Sequence, residues 1–107
     1  MEYCTLYVTC KDEEEARSIG LALVKEGLAA CVNYFPIQSI YRWQGRLEEN
    51  GELALFVKTR KILVGKATER VKTLHSYDVP CIEVWTISGG YLPYLQWIAD
   101  ATAQEII

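Results

Sequence analysis

The sequence is short of the features that mark most membrane, nucleic-acid-binding and catalytic chains. No run approaches the ~18 consecutive apolar residues of a membrane helix, so no membrane association is expected. No stripe of Lys and Arg stands out, and 11 basic side chains face 14 acidic ones for a formal net charge of -3. The electrostatic term behind general nucleic-acid binding is therefore missing. There is no glycine-rich phosphate loop, no G-x-S-x-G, no H-E-x-x-H and no acidic dyad at a convincing spacing. No enzyme is expected on those grounds. The four cysteines, Cys4, Cys10, Cys31 and Cys81, include no C-x-x-C pair. No secretory segment precedes them, so reduced thiols and a cytoplasmic location are the expectation.

What is present reads as one globular domain spanning residues 1–107. A chain of this size buries roughly 60–70% of the surface its unfolded form exposes, enough for one real core. Half of the residues are hydrophobic and 23% are charged, a balance far from that of disordered chains. The apolar share is high for so small a monomer and hints at surface buried between subunits. Acids cluster at Asp12-Glu13-Glu14-Glu15 and around Glu48, Glu49 and Glu52. Such a surface attracts cations, although charge alone also fits plain solubility.

Residues 2–10 alternate, with Cys4, Leu6, Val8 and Cys10 on one side and Tyr3, Thr5, Tyr7 and Thr9 on the other. That pattern predicts a strand with one apolar face, in which Cys4 and Cys10 serve as small core residues rather than metal ligands. Asp12-x-x-Glu15 has the form of a capping box, and Ala16, Ile19, Gly20, Leu23 and Val24 recur at helical spacing, so a helix is predicted over residues 12–26. Gly27 is its natural stop. Residues 28–35 read as a strand. Pro36 should mark a bulge, bend or break, and residues 38–43 resume the extended pattern. Asn50-Gly51 is the strongest hairpin signal, with Gln44-Gly45 a weaker second, and residues 52–59 form the returning strand. A second helix is predicted over 61–74, a loop over 75–80, a strand over 81–87 and a third helix over 91–102. On the last, Leu92, Leu95, Ile98 and Thr102 lie at near-helical spacing.

The order β-α-β-β-α-β plus a helix is that of the α+β, ferredoxin-like split βαβ sandwich, an antiparallel sheet with two helices on one face. The central hairpin is too long for so small a sandwich. A ribbon projecting past the sheet needs a neighbour to cover its aromatic residues.

Five motifs in register carry a resemblance. They are Gly27-Leu28-Ala29-Ala30-Cys31-Val32-Asn33, Ser39-Ile40-Tyr41-Arg42-Trp43-Gln44-Gly45, Val57-Lys58-Thr59-Arg60, His75-Ser76-Tyr77-Asp78-Val79-Pro80 and Tyr94-Leu95-Gln96-Trp97-Ile98. Together they span nearly the whole chain, which resembles the CutA divalent-cation-tolerance family. The resemblance implies a compact homotrimer with sheets meeting edge to edge, similar in architecture to PII signalling proteins. It also implies a binding or sensing module linked to tolerance of copper or other divalent cations. The alternatives are a PII-like sensor of a small molecule or anion at clefts between subunits, and a scaffold that docks another, unknown protein.

Cys31 and His75 are the candidate metal ligands. Cys31 is a soft ligand for copper or, equally, a small buried thiol at a strand–helix contact. His75 is a ligand or a helix C-cap. Metal-binding members of the family carry further ligands, and here Val8 and Leu74 stand where a strand cysteine and a first histidine would lie. No cofactor is obligatory on this reading; Cu(II) or another divalent cation is the expected ligand. Lys58 is suited to an anion or to pairing with a carboxylate such as Glu83. The resemblance places Tyr41, Trp43, Lys58, Tyr77 and Glu83 near an intersubunit cleft. Tyr41, Arg42 and Trp43 are the expected trimer contacts, since aromatics and Arg anchor interfaces.

Overall fold

The structure, a computed structural model, describes residues 1–103. The last four residues of the expected 1–107 domain lie outside that range. Strand β1 (Tyr3–Cys10) leads into α1 (Glu13–Lys25), followed by β2 (Cys31–Trp43), β3 (Arg46–Arg60), α2 (Val64–Leu74), β4 (Ile82–Ile87) and α3 (Leu92–Thr102). A single 3-10 turn, Lys61–Leu63, opens α2. The sheet is four-stranded and antiparallel throughout, in the order β2-β3-β1-β4. This is the expected α+β arrangement.

Local chemistry explains the elements that position the sites. Cys4, Leu6, Val8 and Cys10 are buried, as their alternation requires. Asp12 caps α1 by accepting from the Glu15 backbone N–H at 2.9 Å. Glu15 reaches back to the N–H of Lys11 at 3.1 Å, one residue before the cap. At the other end Gly27 adopts φ 73, and the N–H groups of Gly27 and Leu28 return to the carbonyls of Val24 and Leu23. That Schellman closure needs a left-handed residue, which glycine supplies at no steric cost.

The main core lies between the sheet and α1 and α2. Leu6, Val8, Leu55 and Val57 of the sheet meet Ile19, Leu23, Ala67 and Val71 of the helices. Burying side chains of this size is worth roughly 1.5–3 kcal/mol each before entropy is subtracted. Helix α3 covers one end of the opposite face, where Leu95 and Ile98 pack with Ala30, Tyr3 and Ile87. Arg60 ties that helix down, donating to the Thr102 hydroxyl and to its carbonyl, both at 2.9 Å. Leu92 does not join the buried stripe: it is 75% exposed. It is the first residue of α3.

The central hairpin differs from the sequence expectation in two respects. The turn is Gln44-Gly45, with φ 51 and φ 78, not Asn50-Gly51. Asn50 and Gly51 instead sit inside β3, opposite Ser39 and Gln38. Pro36 makes no break either; it stays in register opposite Leu53. An edge strand tolerates this because alternate N–H groups point away from its only partner. β1 ends its pairing with β3 at Cys10 and Leu53, so the ribbon beyond that point is a free two-stranded arm.

Candidate functional site

The ends of β1, α1 and α2 meet at His75. Its backbone N–H closes α2 on the Val71 carbonyl at 2.9 Å, so the residue is a C-cap by main chain. The imidazole turns elsewhere. Nδ1 accepts from the Tyr77 backbone N–H at 3.1 Å, which leaves the ring proton on Nε2, donated to the Thr9 carbonyl at 2.8 Å. The Glu15 carboxylate stands 3.9 Å from Nδ1, and the side chains of His75 and Glu15 are 0% and 8% exposed. Glu15 also accepts from the Ser76 N–H at 2.8 Å. Burial opposes its charge, but hydrogen bonds from Ser76 and Lys11 outweigh that effect and lower its pKa below the usual carboxylate range.

Cys10 completes the group. A thiol sulfur, a carboxylate oxygen and an imidazole nitrogen from Cys10, Glu15 and His75 all lie within 4.8 Å of one another. Burial, then the nearby charges of Glu15, Glu52 and Asp12, pushes the Cys10 thiol up to about 12. An ion binding here must therefore displace a proton from sulfur. The donors otherwise suit a borderline or soft cation, and an Nε2–H held by a backbone carbonyl is the usual means of orienting a ligating imidazole.

A second feature lies beside this one. The hairpin arm and the 76–81 loop border an open cleft of about 730 Å³, lined on the arm by Tyr41, Trp43 and Glu52 and on the loop by Tyr77, Asp78 and Cys81. The Tyr77 hydroxyl donates to the Glu52 carboxylate at 2.8 Å. Burial first, then that bond, raises the Tyr77 pKa and keeps the phenol neutral. Burial likewise raises the pKa of the Cys81 thiol.

The residues expected at a common cleft are thus divided. Tyr41, Trp43 and Tyr77 come together. Lys58 does not join them; it lies opposite Cys31 on β2 and donates to Asn33 at 2.8 Å. Glu83 is opposite Tyr7 on β4 and accepts from the Trp85 indole at 2.9 Å, so the anticipated Lys58–Glu83 pair is not made. Cys31 stands beside Asn33, at the level of Thr5 across the sheet, whereas His75 is bonded at Thr9. One chain does not bring these two together. Arg42 is exposed and donates to the Gly45 carbonyl at 3.2 Å. Cys10, Glu15 and Glu52 escape a reading from sequence because each already has a local explanation: core alternation, helix cap and surface acid.

Residues 4–101 match the family model described as CutA1 divalent ion tolerance protein. The divalent-cation tolerance protein CutA of Thermus thermophilus is 50% identical over 96 residues, which are 89% of this chain and 93% of that one. Human protein CutA is 41% identical over 97 residues, 90% of this chain. The chain spans only 54% of the human relative's length. Among solved structures, the periplasmic divalent cation tolerance protein CutA from Archaeoglobus fulgidus superposes with a TM-score of 0.93 at 39% identity, covering 94% of this chain and 99% of that one.

Proposed function

The chain belongs to the CutA1 divalent ion tolerance family, and we propose that it is a homotrimeric module that binds a divalent cation, copper in the first instance, without catalysing a reaction. The observation that carries the proposal is the convergence of Cys10, Glu15 and His75 where the end of β1 meets α1 and α2. Thiol, carboxylate and imidazole together favour Cu or Zn over Mg or Ca. Cys31 remains a separate thiol candidate on β2. The proposal places it in a reducing compartment such as the cytoplasm, where buried cysteines such as Cys4 and Cys10 stay thiols.

Support for the trimer comes from the part of the sheet face that α3 leaves open. Tyr7, Phe35, Phe56 and Trp85 form one aromatic cluster there, with Tyr7 stacked on Trp85 at 5.1 Å. Phe35 and Trp85 are 40% and 44% exposed, and β2 and β4 are both edge strands. Apolar surface of this kind and two open edges call for protein partners. Copies of the same chain, joined also by Tyr41, Arg42 and Trp43 of the arm, would cover both.

The test is calorimetric titration of Cu(II) into wild type and into His75→Ala, Cys10→Ser and Cys31→Ser, with mass measured by sedimentation equilibrium. Loss of binding in the first two variants alone assigns the ion to the converged group. Loss in Cys31→Ser and His75→Ala assigns it to a pair shared between subunits. Binding retained in all three variants, or a monomer in solution, refutes the corresponding half of the proposal.

A further inference from the structure

The side chains that would hold a cation also hold the loop that follows them. Ser76 and Tyr77 are fixed by their backbone N–H groups, which donate to the Glu15 carboxylate at 2.8 Å and to Nδ1 of His75 at 3.1 Å. Among the described residues no main-chain to main-chain bond fixes residues 76–80. The next anchor is the Tyr77 hydroxyl, which donates to Glu52 of β3 at 2.8 Å. Two of the three acceptors thus belong to the Cys10, Glu15 and His75 group. All three bonds are made within one chain.

We infer that residues 76–81 are a strap held by the cation ligands themselves, which a bound cation releases. This release rests on the reading of Cys10, Glu15 and His75 as the cation site. A neutral imidazole has one free lone pair. The ring proton is on Nε2 and is donated to the Thr9 carbonyl at 2.8 Å, so that pair is on Nδ1. Nδ1 is also the nitrogen that stands 3.9 Å from the Glu15 carboxylate. An ion and the Tyr77 N–H cannot share it. Thr9 lies in β1, held between β3 and β4, so the strand stays and the loop yields. The Ser76 N–H meets the same difficulty more weakly, because it points at the carboxylate whose charge the ion would draw on. An amide that loses its acceptor must find water, and turning outward is the short route where Ser76 is already exposed. Competition runs both ways. The docked loop occupies a ligand atom, so whatever weakens docking strengthens binding.

Zn(II), which has no redox chemistry with thiols, is the probe. Amide hydrogen exchange of the whole chain is read residue by residue by NMR. Saturating Zn(II) should speed exchange at Ser76 and Tyr77 by about tenfold while leaving the β1 amides protected. A site that the ion merely rigidifies would slow them instead. Calorimetric titration supplies the second arm. Tyr77→Phe removes only the hydroxyl bond to Glu52, which holds the loop and not the ion, and should tighten Zn(II) binding by about tenfold. Circular dichroism checks that the variant folds. Exchange at residues 76 and 77 that Zn(II) slows or leaves unchanged overturns the release, and so does a Tyr77→Phe chain that binds as wild type or more weakly. If Zn(II) binding is meanwhile lost in His75→Ala and Cys10→Ser, the cation site stands and only the release falls. Zn(II) that fails to bind the wild type overturns both.

Discussion

Replacing Glu15 by alanine is the sharpest test of how the His75 junction is held. One carboxylate oxygen accepts from the Lys11 N–H at 3.1 Å, and the other accepts from the Ser76 N–H at 2.8 Å across 61 residues of sequence. Hydrogen bonds to a charged group contribute about 1.5–3 kcal/mol each. Lys11 and Ser76 are exposed, so water can replace part of each bond, and the lower end applies. The expected loss is therefore about 3 kcal/mol at neutral pH. The sign of its pH dependence follows from the lowered pKa of Glu15. The folded state favours the carboxylate, so the stabilisation is complete above the unfolded value of about 4.3 and is lost as pH falls through the lower folded value. Urea unfolding followed by circular dichroism, at one fixed protein concentration because a trimer's apparent stability depends on it, gives the difference between wild type and variant. That difference should shrink once the pH is below about 4. A gap under about 0.5 kcal/mol at pH 7, or one unchanged at pH 3, would refute the reasoning.

Two further substitutions probe the arm and the last helix. Gly45→Ala places a Cβ at φ 78, and should lower stability by about 1 kcal/mol in thermal unfolding; no change would show that the turn is not held in this form. Arg60→Ala removes both donors to Thr102, and should speed hydrogen exchange in α3 by about tenfold while leaving the β1 amides protected. Uniform acceleration across the chain would mean that α3 is not a separately anchored unit.

Much of the fold was legible because its devices are local. Alternation identifies β1, Asp12 and Glu15 announce α1, and Gly27 stops it, each within a few residues of its effect. The arm was misread for the opposite reason. A turn at Asn50-Gly51 satisfies local preference, yet it would set Glu49 directly opposite Glu52 and leave most of β2, residues 31–40, without partners. The observed register pairs Cys31–Trp43 along its whole length with β3 and sets Val32 opposite Val57. Like charges face to face are unfavourable, and thirteen paired residues outweigh one turn. The cost is a left-handed Gln44, about 1–2 kcal/mol. Pro36 follows the same logic: an edge position, which only the sheet order reveals, makes its missing donor harmless.

The sites depended on that register, which is why they were legible only in part. Tyr41 and Trp43 reach the 76–81 loop because the turn falls at Gln44-Gly45; Asn50, moved into the strand, then donates to the Tyr41 hydroxyl at 2.8 Å and steadies the arm. No spacing in the chain announces that Glu52 will meet Tyr77 or that Glu15 will meet Ser76. Tyr77 joins the two sites. Its backbone N–H holds Nδ1 of His75, its ring packs on the imidazole at 4.8 Å, and its hydroxyl holds Glu52. A metal ion taking the Nδ1 lone pair would strip Tyr77 of its backbone anchor, and through the same residue would disturb the bond that its hydroxyl makes to Glu52.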